Sequence, residues 1–249
     1  MNLSITGFGA CMIAGFPLSQ EAGFFHHAVQ HLHQTGQFKV AFEIVAMGGF
    51  PADRAHKHLA KKVLAQRPDV VVLQFGSTDA SAPLRHGFGL RHLFPRKDPY
   101  VREQVSNQPP APLDLVKWQL RNLASELLCV PPISPLNDYL PALLNMAYEC
   151  CAAGSTVVVV SPFVMGGGRS NRFARYYTQA LAEQLPQSPG VHFLDAHTLL
   201  SQSERREMLL RDGFHLSATA HQKLGAALGE LLTHAAQERC ASAKAHSVA

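Results

Sequence analysis

The chain has 249 residues, of which 47% are hydrophobic and 16% are charged, a composition that supplies a buried core and excludes intrinsic disorder. The formal net charge is only +4 and no run of five basic residues occurs, so a nucleic-acid surface is not expected. The longest apolar runs, such as residues 157–160, are far too short for a membrane span, and no membrane partner is expected.

The N-terminus shows no basic segment followed by an apolar stretch and a cleavage site, so no secretory signal is expected. The cysteines form no CxxC pair and no even framework, which favours reduced thiols and a cytoplasmic location. They are Cys11, Cys129, Cys150, Cys151 and Cys240.

Short β-rich runs alternate with longer helical patterns along the chain. The β-branched run at residues 69–75 is typical of a parallel strand that is covered on both faces. Strands are predicted at residues 3–6, 39–46, 69–75, 156–160 and 191–195, and helices after Pro17 and at residues 52–66, 114–128 and 217–236. This alternation predicts an α/β fold with about five parallel strands and helices on both faces.

Residues 81–137 interrupt the alternation, because this interval carries nine of the 16 prolines and one helical pattern. It is interpreted as an insertion after strand three that folds over the carboxyl edge of the sheet as a lid, since long loops in compact domains often bind ligands. A peripheral element or an oligomer contact is the alternative. The rest of residues 1–240 is predicted to be one domain, and residues 241–249 a flexible tail.

Reactive side chains follow the predicted strands, and the carboxyl ends of parallel strands meet at one edge of a sheet. Cys11 follows strand one, Gly48 and Gly49 follow strand two, and Thr78 follows strand three. The segment 212–217, Asp-Gly-Phe-His-Leu-Ser, precedes the last helix. A thiol, backbone N–H donors, a hydroxyl and an Asp-x-x-His pair are the groups that acyl transfer requires.

These four segments resemble the sequence blocks of the SGNH (GDSL-type) hydrolase superfamily, in the same order. The similarity covers about residues 3–80 and 155–235, and segment 212–217 is its most specific part. It implies a flavodoxin-like three-layer α/β/α sandwich and an esterase, thioesterase or deacetylase activity without a cofactor or metal. Two family positions differ: Cys11 stands where the family has serine, and Thr78 where it has asparagine.

The resemblance implies a triad of Cys11, His215 and Asp212. The oxyanion donors would be the N–H of Cys11, the N–H of Gly49, with Gly48 as the alternative, and the Thr78 hydroxyl. Asp79 and Phe214 are expected to contact the substrate. In this arrangement Cys11 would be the nucleophile, His215 the general base and Asp212 the carboxylate that orients the imidazole.

A cysteine nucleophile forms a thioester acyl-enzyme, which reacts with water, amines, thiols or hydroxyls. Hydrolysis of an ester or thioester and acyl transfer are therefore both expected activities, on a small-molecule or carrier-bound acyl substrate. The alternative is a catalytically altered member of the fold that binds a ligand or a partner, because fold does not fix function.

Other patterns point to weaker alternatives. Gly7-Phe8-Gly9 lacks the third glycine of a dinucleotide motif. His27 and His31 share a helix face but have no nearby carboxylate or thiol in sequence to complete a metal site. Glycines 166–168 suit an anion site or a flexible loop, and Asp195 is a second candidate to orient His215. Basic residues between 85 and 97 suit an anionic substrate or a solvated face.

Overall fold

The structure is a computed structural model that describes residues 2–82, 108–186 and 190–248, with side chains through residue 241. Its centre is a five-stranded parallel sheet in the order β2-β1-β3-β4-β5. The strands are β1 (Asn2–Gly9), β2 (Lys39–Ala46), β3 (Val70–Gln74), β4 (Thr156–Val160) and β5 (Val191–Leu194). The α/β class and the five parallel strands predicted from the sequence are confirmed, and this strand order is the flavodoxin-like one.

Helices cover both faces of the sheet. The described α-helices are α1 (Phe24–Gln34), α2 (Ala52–His56), α3 (Leu59–Lys62), α4 (Pro112–Leu127), α5 (Leu136–Ala152), α6 (Gly168–Gln184), α7 (Ala196–Ser201), α8 (Arg205–Met208) and α9 (Ala218–Val248). No helix in the described part of the chain is long and apolar enough to cross a membrane.

Alternate residues of the buried strands supply two cores, because successive side chains of a strand point to opposite faces. Val72 and Val158 belong to the core beneath α1 and α9. Val71 and Val157 belong to the core beneath α2, α5 and α6. Strands β3 and β4 are buried along their whole length, which explains their uninterrupted apolar sequences.

Two histidines of α1, His27 and His31, belong to a helix–helix contact. A Cβ atom added at Gly225 would lie 2.5 Å from the Cβ of His27, and one added at Gly229 would lie 2.6 Å from the Cβ of His31. The two glycines of α9 therefore let the helices approach closely. Among the described residues, the histidines of α1 take part in no cluster of three metal-ligating side chains.

The strand order places a topological switch point between β1 and β3. Gly9 pairs with Ala46 of β2 on one side and with Gln74 of β3 on the other. The connection after β1 leads to β2 on one side and the connection after β3 leads to β4 on the other, so a crevice opens outside the carboxyl ends of the strands at this point. The segments after β1, β2 and β3 meet at the crevice.

Several helices differ from the expectations. The helix predicted over residues 52–66 is divided into α2, α3 and a 3-10 turn at Leu64–Gln66, because His58 and Gln66 donate to carbonyls three residues back instead of four. Helix α5 was not predicted. Helix α9 continues through Val248, so the segment predicted as a flexible tail has a helical backbone. Of the predicted lid, residues 83–107 lie outside the described residues, and α4 belongs to the part that is described.

Candidate active site

Cys11 lies just after the carboxyl end of β1. The N–H of Ala10 donates to the carbonyl of Gln74 at 2.9 Å, which fixes the chain where it leaves β1. Cys11 then opens a one-turn 3-10 helix, Cys11–Ala14, and α1 begins only at Phe24. One turn aligns few peptide dipoles, so a helix dipole gives the sulfur of Cys11 little support.

The sulfur and the imidazole meet. Sγ of the half-buried Cys11 lies 3.6 Å from Nε2 of His215, across 204 residues of sequence. The sequence analysis expected these two side chains to meet, and the distance is within hydrogen-bond reach for a sulfur atom.

The segment before α9 fixes the orientation of His215. Oδ2 of Asp212 lies 2.5 Å from Nδ1 of His215. Oδ1 of the same carboxylate accepts the backbone N–H groups of Phe214 and His215, both at 2.9 Å. The carboxylate thus holds a tight turn and directs Nε2 of the imidazole toward the sulfur.

The electrostatics of the pair favour a charged imidazole. Burial lowers the pKa of His215, but the hydrogen bond to Asp212 and the contact with Cys11 outweigh this effect and raise the pKa to about 9. Burial raises the pKa of Asp212, whereas its hydrogen bonds with His215 and with two backbone N–H groups hold it below the usual value. At neutral pH an imidazolium therefore faces the sulfur of Cys11.

Two aromatic rings border the imidazole. Phe16 and Phe214 present ring contacts to His215 with centroid distances of 5.1 Å and 5.2 Å, both in edge geometry. The side chain of His215 is 12% exposed, so the two rings leave part of the imidazole accessible to solvent. Phe214 is half-buried, and its predicted contact with substrate stays a prediction.

The glycine pair forms a turn beside Cys11. The N–H of Phe50 donates to the carbonyl of Met47 at 3.1 Å, and Gly49 has a φ of 73°, which glycine adopts without strain. A Cβ atom added at Gly48 would lie 3.7 Å from the Cβ of Cys11, whereas nothing lies within 4 Å of one added at Gly49. Of the two glycines, Gly48 has its α-carbon facing Cys11. Thr78 is half-buried in the turn after β3.

The side chain of Asp79 is fully buried and accepts hydrogen bonds from the backbone, a structural role that the sequence analysis did not expect beside the substrate contact it predicted. Oδ1 accepts the N–H of Ala52 at 2.9 Å and Oδ2 accepts the N–H of Gly76 at 3.1 Å. Burial raises the pKa of Asp79 to about 6, although these backbone hydrogen bonds lower it. Asp79 thus ties the segment after β2 to the segment after β3, which carries Thr78.

The described part of the insertion packs on the catalytic turn, a feature that the sequence analysis missed. The indole N–H of Trp118 in α4 donates to the carbonyl of Arg211 at 3.0 Å. The guanidinium of Arg211 contacts the carboxylate of Asp114 at 2.8 Å. Nδ2 of Asn122 donates to the carbonyl of Gly166 at 3.0 Å. No local signal marks these contacts, because each joins residues that are far apart in the chain.

The glycine-rich patterns have structural roles. Gly166 donates its N–H to the carbonyl of Gly213 at 2.9 Å, so the segment after β4 supports the catalytic turn. Gly167 caps α6, which shows that these glycines shape a loop and a helix start. A Cβ added at Gly9 would lie 2.6 Å from the carbonyl oxygen of Gln74, so close packing accounts for that glycine without a dinucleotide.

Asp195 is not the partner of His215. Its Oδ1 accepts the N–H of Thr198 at 2.8 Å and thereby caps α7. Asp212 has the role that the alternative gave to Asp195.

Comparisons with known proteins agree with this fold. The profile of the GDSL-like Lipase/Acylhydrolase family matches residues 6–223. The lipase/acylhydrolase from Enterococcus faecalis has a similar structure, with a TM-score of 0.60 and 17% identity over 93% of this chain and 96% of that chain. TesA has a TM-score of 0.59 and 15% identity over 93% of this chain and 99% of that chain.

A third similar structure is a catalytic mutant of Axe2, an acetylxylan esterase from Geobacillus stearothermophilus. It has a TM-score of 0.58 and 15% identity over 90% of this chain and 91% of that chain. No curated protein sequence matches the chain significantly. At these identities the solved structures show the fold, and the family profile shows the family.

Proposed function

Because the chain belongs to the GDSL-like lipase/acylhydrolase family, and is a hydrolase acting on esters, we propose that it works through a Cys11-His215-Asp212 triad and a thioester acyl-enzyme. The observation that carries the proposal is the 3.6 Å contact between Sγ of Cys11 and Nε2 of His215, at the switch point of the sheet. The half-buried carboxylate of Asp212 completes the set on the far side of the imidazole.

The first half of the reaction forms the acyl-enzyme. The reacting form has a proton on Nε2 of His215 and none on Sγ of Cys11, and the sulfur attacks the substrate carbonyl carbon. The oxyanion that develops is held by the N–H of Cys11, the N–H of Gly48 or Gly49, and the Thr78 hydroxyl. When the tetrahedral adduct collapses, the bond to the leaving group breaks and His215 returns its proton to that group.

The second half releases the acyl group. His215, now neutral, takes a proton from water, and the resulting hydroxide attacks the thioester carbonyl. Collapse frees the carboxylic acid and the sulfur of Cys11, and the proton taken from water stays on Nε2 of His215. A thiol, amine or alcohol in place of water gives acyl transfer by the same steps, because thioesters react readily with these acceptors.

Thioesters, including carrier-bound ones, are the proposed substrates beside esters. Exchange of one sulfur for another is close to neutral in energy, which suits a cysteine nucleophile. A cytoplasmic location belongs to the proposal, since all five cysteines are free thiols and the cytosol keeps thiols reduced. A purely binding role leaves the oriented imidazole of His215 without a purpose.

Intact-mass measurement of the acyl-enzyme tests the proposal. The full chain is mixed with p-nitrophenyl acetate or with an acetyl thioester and quenched in acid within seconds. We expect one added acetyl group, located on Cys11 by peptide mapping. Cys11→Ala should remove the adduct and the turnover, whereas Cys129→Ala, at an exposed cysteine outside the site, should change neither. An acetyl group that remains with Cys11→Ala would show that another residue is the nucleophile.

A further inference from the structure

Three metal-binding side chains converge where α9 crosses the edge strand of the sheet. His192 is on β5, and His234 and Glu238 are four residues apart on α9. Their ligand atoms all lie within 4.8 Å of one another. Nε2 of His192 lies 3.2 Å from one carboxylate oxygen of Glu238, and Nδ1 of His234 lies 3.5 Å from the other. None of the triad residues is on these two elements.

The inner histidine has an unsatisfied ring nitrogen. The side chain of His192 is only 10% exposed. Its Nε2 atom is buried and makes no aligned hydrogen bond, although the carboxylate is close. A buried nitrogen without a hydrogen-bond partner is unfavourable, so a partner that satisfies it would stabilise this corner of the fold.

We propose that His192, His234 and Glu238 form a site for a divalent transition metal, with Zn²⁺ the best fit. Two imidazoles and one carboxylate, with water at the fourth position, are a common zinc ligand set. Bonds of about 2.0–2.1 Å in a tetrahedral site separate ligand atoms by about 3.3 Å, close to the two distances observed here. The carboxylate is thus already placed between the two rings, whose ligand nitrogens lie within 4.8 Å and would move closer together around the ion.

The charges around the cluster agree with a cation. The carboxylate of Glu238 supplies one negative charge beside the two imidazoles. The adjacent Arg239 directs its guanidinium to Asp69 at 3.8 Å. A bound metal would fasten the distal part of α9 to β5, the strand at one edge of the sheet.

Metal titration of the full-length protein tests the site. Isothermal calorimetry with ZnCl₂ is run in a Cys11→Ser background, which removes the reactive sulfur of the catalytic site from competition. We expect one equivalent of Zn²⁺, no binding of Mg²⁺, and a higher melting temperature with Zn²⁺. Co²⁺ should give a visible spectrum without a thiolate charge-transfer band, since no cysteine belongs to the cluster.

Two substitutions at half-exposed or exposed positions locate the site without risk to folding. His234→Ala and Glu238→Gln should each weaken Zn²⁺ binding by more than about tenfold, because even outer-shell partners of a metal contribute about 10–100-fold. His33→Ala, at an exposed histidine of α1, is the matched control and should bind like the parent. Absence of Zn²⁺ binding, binding that survives both substitutions, or a thiolate band with Co²⁺ would each overturn the proposal.

Discussion

The indole N–H of Trp118 donates to the carbonyl of Arg211, the residue immediately before the triad aspartate. Through this bond a helix of the insertion holds the turn that carries Asp212 and His215. The carboxylate of Asp114, one turn earlier in α4, contacts the Arg211 side chain, and the guanidinium lowers the pKa of that carboxyl group. The insertion is therefore a structural support of the triad, in addition to any role in covering the substrate.

Removal of the Trp118 N–H should loosen this turn. With Trp118→Phe we expect kcat/KM for an acetyl ester to fall about two- to tenfold, the effect of one hydrogen bond worth about 0.5–1.5 kcal/mol. Leu120→Ala on the same helix, at a side chain that is 61% exposed, is the control and should leave kcat/KM unchanged. Equal kinetics for Trp118→Phe and the wild type would show that α4 does not position the triad.

The alkaline limit of activity should follow the imidazolium of His215. Because that group protonates the leaving group and its pKa is raised to about 9, kcat/KM should fall as pH rises through about 9. Asp212→Asn removes the charge that raises the pKa and should move the alkaline limb toward neutral pH. Initial rates across pH 6 to about 10.5 with a pH-insensitive substrate measure the limb; an unshifted limb in Asp212→Asn would assign it to another group.

The same shift predicts a stability effect. A histidine with a pKa raised above its ordinary value of 6.5 stabilises the fold fully below about pH 6.5, and this contribution is lost as pH rises through about 9. Urea unfolding should therefore show the wild type losing more stability between pH 7 and about pH 10 than Asp212→Asn does. A parallel loss in the two proteins would contradict the coupling.

The strands and the pairing of Asp212 with His215 were predictable from the sequence because their signals are local. β-Branched runs mark β3 and β4, and Asp212 and His215 lie three residues apart in one segment. Helix α5 was missed because Pro141, a residue that usually interrupts helices, lies within it.

The role of Asp79 and the anchoring by α4 depend on burial and on distant contacts, which no local pattern contains. The bond from Trp118 to Arg211 joins residues 93 apart in the chain. The hydrogen bond from Ala52 to Asp79 joins the segment after β2 to the segment after β3, and only the fold brings these two segments together. The sequence placed Asp79 next to Thr78 and so suggested a substrate contact, but it gave no sign that the side chain points inward.

Asp79 should act through the loops that it joins. Asp79→Asn leaves one of two buried N–H groups without an acceptor, and we expect a loss of about 1–3 kcal/mol in unfolding free energy and a lower kcat with little change in KM. Because burial raises the pKa of Asp79 to about 6, the wild type gains stability as pH falls from 7 to about 4.5, so its advantage over Asp79→Asn should widen. Asp138→Asn, at an exposed position of α5, is the control, and a constant advantage would contradict the raised pKa.

The Thr78 hydroxyl should donate to the oxyanion. Thr78→Val keeps the shape of the side chain and removes the donor, so kcat should fall at least about tenfold with KM unchanged. Thr35→Val, where the hydroxyl donates to the Leu32 carbonyl at the end of α1, controls for loss of a hydroxyl elsewhere. Full activity of Thr78→Val would leave the oxyanion to backbone N–H groups alone.

Gly213 and Gly154 provide a matched pair for the packing of Trp118 on the catalytic turn. Both have positive φ, 70° and 88°, so alanine introduces comparable backbone strain at each. A Cβ at Gly213 would lie 2.7 Å from Cε2 of Trp118, whereas nothing lies within 4 Å of one at Gly154. We expect Gly154→Ala to lower the unfolding free energy by about 1–2 kcal/mol without loss of kcat. Gly213→Ala should cost about 1–3 kcal/mol more, because an overpacked side chain must move, and should reduce kcat as well. Urea unfolding and ester turnover measure both effects. Equal losses of unfolding free energy in the two variants would mean that the indole of Trp118 moves aside easily and does not hold the turn.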